Sequence, residues 1–256
     1  MKDKVLPSIL SLGLLLGPGS SEIVAQNQFE VLVYSQYSTY HKETIPTAIN
    51  AFKTMALKHQ FGLTWTQDAG VFASEELNGF AAVVFLDANG NAFTEEQRAG
   101  LKQYINQGGG FVGLHAASTT NEEWAWYDQL VGRVFTGHPV IQTAVLQVVD
   151  AQFPAARHLP STWIWTDEWY NFGEAKSDSL QVVLEVDEST YDPRAGYEGS
   201  IMGAYHPITW YQEFDGGRSF YHALGHKPDA YQDQSNLDLI YGGVYWAATG
   251  RGTSTK

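Results

Sequence analysis

From residue 29 onward the chain alternates short apolar runs with longer amphipathic stretches, the rhythm of strands and helices laid down in turn. Residues 29–34, Phe-Glu-Val-Leu-Val-Tyr, suit a strand buried inside a parallel sheet. Over 44–59 the spacing changes, and Ile45, Ile49, Phe52, Ala56 and His59 share one face of an amphipathic helix. Further strands are predicted over 61–66 and 81–86, with a short helix opened at Ser74 between them. Thr94 followed by Gln97 is a capping box, so a helix is predicted to Asn106, ended by Gly108, Gly109 and Gly110. Residues 111–114 make a fourth strand. This βαβαβ order predicts an α/β fold with a doubly wound, mostly parallel, flavodoxin-like sheet and a ligand site at the carboxyl ends of its strands. From Val140 the pattern differs. Strands are predicted over 140–149, 180–186, 208–214 and 218–224 with few helices between them, adding antiparallel strands in the second half. A helix over 237–248 closes the chain. No repeat, low-complexity tract or linker divides it, so residues 26–256 are expected to form one domain.

Composition narrows the class. Across 256 residues, 44% hydrophobic and 17% charged content supports a large buried core. A net charge of −13 argues against nucleic acid or an anionic membrane as partner, since both require a positive surface. Residues 1–25 read as a signal peptide: Lys2 and Lys4 precede an apolar stretch over 5–16, which Gly17-Pro18-Gly19 breaks, with cleavage expected near Ala25. That stretch is shorter than the roughly 20 residues a membrane span needs, and no later segment qualifies. The expected product is secreted or periplasmic. The chain has no cysteine, which excludes disulfides, thiolate metal sites and a cysteine nucleophile. A Walker loop and a Gly-x-Ser-x-Gly elbow are absent, and no nucleotide, nicotinamide or flavin cofactor is expected.

Two stretches carry the most chemistry. In Gly110-Phe-Val-Gly-Leu-His115-Ala-Ala-Ser118, a histidine occupies the elbow between strand and helix, with Ala117 where the elbow's second glycine would stand. Imidazole there can act as a base, donate a hydrogen bond or bind a metal. In Gly216-Gly-Arg-Ser-Phe-Tyr-His222-Ala-Leu-Gly-His226, a hairpin turn leads into a strand that delivers His226 at its end, while His222 suits a satisfied core position. Tyr34 and His41 flank the loop after the first strand. Asp87 and Asn89 follow the third, in an Asp-Ala-Asn-Gly sequence that turn chemistry explains as well. His138 and His206 are each held before a proline. Asp167-Glu168-Trp169-Tyr170 joins two carboxylates to two aromatic faces, a set suited to sugars, although an aromatic core edge beside an acidic turn reads the same way. Histidines without cysteines also permit a His/carboxylate site for zinc or manganese, with neither HExxH nor HxH spacing present.

Taken in order, Val31-Leu-Val-Tyr34, His41-x-x-x-Ile45-Pro46, the stretch Gly108–Ala116, Gly137-His138-Pro139, Asp167-Glu-Trp-Tyr170, His206-Pro-Ile-x-Trp210 and the stretch Gly216–His226 resemble the successive blocks of the trehalose-utilisation (ThuA-like) family. The resemblance runs from about Phe29 to Ala248. It implies a class I glutamine amidotransferase-like fold, with His115 at the place of the cysteine nucleophile and His226 at that of the catalytic histidine. Without cysteine, glutamine hydrolysis through a thioester is excluded. The resemblance implies carbohydrate metabolism, linked to trehalose and to oxidised (3-keto) glycosides. The expected function is therefore an enzyme acting on a disaccharide or 3-keto-glycoside by hydrolysis, elimination or isomerisation. His115 and His226 are expected as base and electrophile in either order, with Glu168 as acid. Tyr34, His41, Asp167, Trp169, Tyr170 and His206 are expected to bind the sugar, and His115, His226 and His41 to hold any metal. The alternative is a non-catalytic sugar-binding module on the same scaffold.

Overall fold

The computed structural model describes residues 27–121 and 123–252, so the expected leader over 1–25 lies outside the described residues. Strands and helices follow as β1 (Glu30–Ser35), α1 (Thr44–His59), β2 (Gly62–Thr66), β3 (Ala82–Leu86), α2 (Glu95–Asn106), β4 (Gly110–Leu114), α3 (Ala125–Val131), β5 (Phe135–Gly137), β6 (Gln142–Val148), β7 (Thr162–Asp167), β8 (Asn171–Phe172), β9 (Gln181–Asp187), β10 (Pro207–Phe214), β11 (Gly217–His222) and α4 (Gln234–Thr249). Nine strands form one sheet in the order β2-β1-β3-β4-β11-β10-β9-β6-β7, and β5 pairs with β8 separately. From β2 to β11 the pairing is parallel; from β11 to β7 every pair is antiparallel. The sequence therefore switches pairing mode where its helices thin out. A parallel strand needs a long crossover, whereas antiparallel neighbours are joined by short turns.

The apolar runs become the parallel strands because helices cover both of their faces. Every residue of β3 and β4 is buried, as is β1 apart from Glu30. On one side Tyr34, Phe72, Phe85 and Phe93 pack with ring centroids 4.8–5.9 Å apart. Close approach on the other side explains Gly110: a Cβ there would sit 2.3 Å from the Ala247 carbonyl of α4. The capping box forms as predicted, Thr94 Oγ1 accepting from the Gln97 amide at 3.3 Å and Gln97 Oε1 from the Thr94 amide at 2.9 Å.

Four differences from the sequence expectation bear on the site. In place of one short helix from Ser74, two 3-10 turns, Ala69–Ala73 and Glu75–Gly79, flank that residue. The last helix starts three residues earlier than expected, where Asp233 accepts from the Asn236 amide. Helix α3 and strands β5, β7 and β8 are additions to the expected pattern. Strand β11 ends at His222, so His226 lies in the turn beyond the strand.

What the sheet does for function is set by register. Ser35 pairs with Leu86, Leu86 with Leu114 and Leu114 with His222, so four parallel strands stop at one level. The next residues on β3 and β4 are Asp87 and His115.

Candidate active site

Both of those residues leave their strands in the left-handed conformation, at φ 48° for Asp87 and φ 47° for His115. A non-glycine residue held there costs of order 1–3 kcal/mol, so the surrounding structure must enforce it. For His115 the enforcing contacts are visible. Its ring is fully buried, and Nδ1 lies 2.8 Å from the Ala223 carbonyl, which can only accept; Nδ1 therefore carries a hydrogen. Its own carbonyl accepts from Tyr221 Oη at 2.7 Å. Nε2 points the other way, 2.8 Å from Tyr170 Oη and 3.4 Å from Glu168 Oε2.

Glu168 is where the remaining groups meet. His226 Nδ1 lies 3.2 Å and His138 Nε2 3.5 Å from its Oε1. Burial works against the carboxylate's charge, but His115 and His226 outweigh it and hold Glu168 well below the usual carboxylate range. The effect on His115 is reciprocal. Burial disfavours its proton, yet Glu168, Asp87 and Asp167 together raise it to about 9. The pair is thus carboxylate and imidazolium at neutral pH. An ionised carboxylate begins as a proton acceptor, and the acid role expected for Glu168 follows once it has taken up a proton.

His41 completes the cluster from the loop before α1. Its ring centroid lies 5.0 Å from that of His115 and 5.6 Å from that of His226. Burial, then the two neighbouring histidines, pushes its pKa down to about 3, so it is neutral. One ring nitrogen from each of His41, His115 and His226 lies within 4.8 Å of the other two. Three neutral-capable imidazoles beside a carboxylate are the donor set that zinc or manganese accepts. His41 Nδ1 and His226 Nδ1 are buried with no hydrogen-bond partner among the described residues, which also fits a site built for something more.

The loops bearing these groups are tied to one another. Thr44 Oγ1 donates to the His226 carbonyl at 2.6 Å, joining the start of α1 to the turn after β11. Asp167 accepts from the Glu168 amide at 2.9 Å, the Gly225 amide at 3.0 Å and Trp165 Nε1 at 3.3 Å. Gly225 has φ 150°, and a Cβ there would approach Tyr231 Oη to 2.8 Å and His115 Cβ to 3.2 Å.

Above the cluster opens a cleft of about 460 Å³. His41, Asp87, Glu168, Tyr170 and His226 line it, with His138, Phe135 and the Asn89 loop on its walls. At the rim Tyr37 and Tyr40 are 76% and 82% exposed. Four expected sugar contacts are not part of this lining. Tyr34 is buried in the aromatic cluster, its hydroxyl accepting from Gln36. Trp169 is fully buried and donates to the Gln142 carbonyl. His206, also fully buried, lies 2.9 Å from the Tyr170 carbonyl and 3.5 Å from Glu188 Oε1. Asp167 is the buried brace just described. Aromatic and acidic density in the sequence does not separate a core edge from a cleft wall, and here the core took three of the four. His138 and Asp87 join the cluster instead. For the rim, the readable signal lies in Tyr37 and Tyr40, two aromatic residues in a loop with no apolar periodicity to bury them.

The sequence matches the model of the trehalose-utilisation family, ThuA, over residues 30–247. No curated protein matches it significantly. Among solved structures, the fold is similar to a ThuA-like protein from Bacteroides uniformis, at TM-score 0.76 and 22% identity, covering 91% of this chain and 96% of that one. A ThuA-like protein from Parabacteroides merdae gives TM-score 0.73 and 20% identity, covering 89% and 92%. A GMP synthase component from Thermoplasma acidophilum gives TM-score 0.50 and 12% identity, covering 87% and 96%. These likenesses establish the mixed α/β fold.

Proposed function

This chain belongs to the trehalose-utilisation (ThuA) family, and from that premise we propose that it is an extracytoplasmic enzyme acting on a disaccharide or 3-keto-glycoside by acid–base chemistry beside a carbonyl. The observation that carries the reading is the convergence of His41, His115 and His226 on one point, beside an ionised Glu168, at the floor of an open cleft.

A keto group acidifies the neighbouring C–H. Glu168 is the proton acceptor, ionised throughout the physiological range and open to the cleft. Tyr170 lines the cleft and donates its hydroxyl proton to the oxygen on which negative charge gathers, with the His115 imidazolium behind it, Nε2 lying 2.8 Å from Tyr170 Oη. Once Glu168 holds the proton, His226 and His138 at 3.2 and 3.5 Å are placed to pass it on. That one transfer serves elimination, isomerisation, or hydrolysis that proceeds through elimination. The rim tyrosines supply the aromatic faces on which a sugar stacks.

His41, His115 and His226 would hold a divalent cation, zinc or manganese. When bound, it supplies Lewis-acid polarisation of a carbonyl or of water. For His115 the roles of ligand and hydrogen-bond donor are exclusive, because Nε2 serves only one at a time.

The deciding experiment is metal analysis of the purified protein, paired with turnover of trehalose and 3-keto-trehalose before and after chelation. Stoichiometric metal with chelator-sensitive turnover makes the histidines ligands. Turnover indifferent to chelation leaves Glu168, His115 and Tyr170 as the complete machinery. Sugar affinity without turnover on either compound overturns the enzyme and leaves a sugar-binding module.

A further inference from the structure

Asp87 is the least explained group in the molecule. Its carboxylate is completely buried, lines the cleft, and has no hydrogen-bond partner among the described residues for either oxygen. A bare buried carboxylate is costly unless something charged or hydrogen-bonding meets it. Its backbone is held in the left-handed region, which aspartate tolerates better than most residues, and that turn directs the carboxylate into the crevice beside His115. Beyond the Ala116 amide, which favours the carboxylate's charge, a candidate partner is His41, whose Nδ1 is 3.8 Å from Asp87 Oδ1 and is itself unpartnered among the described residues.

The three clustered histidines share a pattern. His115 Nδ1 lies 2.8 Å from the Ala223 carbonyl, His226 Nδ1 is 3.2 Å from Glu168 Oε1, and His41 Nδ1 is 3.8 Å from Asp87 Oδ1. Each ring thus has its Nδ1 beside an oxygen atom, which leaves Nε2 as the nitrogen for a cation; in His115 that nitrogen is the one now shared with Tyr170 Oη. A histidine that ligates a metal ordinarily donates its other N–H to a carbonyl or carboxylate, fixing tautomer and orientation. Asp87 lies outside the trio whose nitrogens come within 4.8 Å of one another.

We propose that Asp87 is the positioning residue that holds His41 as a cation ligand, with the His41 proton on Nδ1 facing the carboxylate. This rests on the reading that the histidine trio binds a divalent cation. Closing 3.8 Å to hydrogen-bond length takes a shift of about 1 Å. It provides a partner for two buried groups that lack one.

The test uses the purified chain, stripped with chelator and titrated with Zn²⁺, then with Co²⁺ as a visible-absorption probe. Asn tolerates the left-handed backbone, so Asp87→Asn keeps shape and removes charge. The variant is expected to bind one cation per chain, as wild type does, with affinity lowered about 10- to 100-fold. Its Co²⁺ bands should keep their positions, because the ligands are unchanged. Its cation-free form should melt no lower than cation-free wild type, since an unpaired buried charge has gone; a lower melting temperature would make Asp87 a structural carboxylate and overturn the proposal. Affinity equal to wild type would also overturn it. Lost stoichiometry or shifted Co²⁺ bands would make Asp87 a ligand rather than a positioning residue. Wild type that binds no cation removes the underlying reading as well, and that failure appears before any variant is compared.

Discussion

Glu168 gathers three imidazoles around one carboxylate, and its replacement separates chemistry from cation binding. Glu168→Gln is expected to lower turnover by about 10²–10⁴-fold, the usual worth of a positioned proton acceptor, while a bound metal stays stoichiometric. Steady-state kinetics beside metal analysis checks both halves. His222 carries a different prediction, about stability. Its ring is fully buried between Thr209 Oγ1 at 2.7 Å and Asn236 Oδ1 at 2.9 Å, an arrangement satisfied by the neutral ring. Burial holds its pKa down to about 4. The unfolded chain takes up that proton near pH 6.5 and the folded chain does not, so stability present above 6.5 falls as pH drops toward 4, by up to about 3 kcal/mol. His222→Gln should flatten this part of the pH profile in urea unfolding measured at about pH 7.5 and about pH 5. The sequence made His115, His226 and His41 legible because each stands at a strand end or in a loop. Tyr34, Trp169 and His206, expected at the sugar, are buried, and the sequence does not show this because a polar tip on an aromatic ring is compatible with either side of a cleft wall.

At the scale of elements, local signals were legible where they repeat over enough residues. The apolar runs of β1, β3 and β4, the period of α1 and the capping box of α2 each state their own structure. Thr94→Ala should cost about 1 kcal/mol in denaturant unfolding, with no change in kinetics, since α2 lies away from the cleft. Gly225→Ala should do the opposite. The added methyl, in a backbone conformation that glycine favours, presses on Tyr231 and His115, so turnover should fall more than stability. The elements beyond the expected pattern lacked such repetition. Helix α3 has seven residues, two turns at most, and β8 has two. Strand β7 does alternate, but its inward residues are Trp163 and Trp165 while Ile164 is 70% exposed, so the pattern resembles an aromatic cluster more than a half-buried strand.

For the whole molecule, fold class was legible and assembly was not. Alternating strands and helices announce a parallel sheet, and their thinning announces the antiparallel extension, yet strand order is a property of long-range pairing. Only in the folded chain does β11 slot beside β4 and bring His226 to His115. The charge of −13 also acts at this scale. None of the lysines or arginines lines the cleft among the described residues, so sugar binding should vary little between low and high salt, apart from any effect on a bound cation. Calorimetric titration at two ionic strengths measures it.

The bond from Thr44 to the His226 carbonyl spans 182 residues. Contacts of such separation form only after both ends of a chain have docked, so they belong to the late part of folding. A nascent chain emerging from the ribosome displays His41 first, His115 later, and His226 only near its end. Until then it has strands, helices and most of a core, but not the three-histidine cluster. The cluster is completed in one step with the finished fold, and a copy cut short before His226 lacks it.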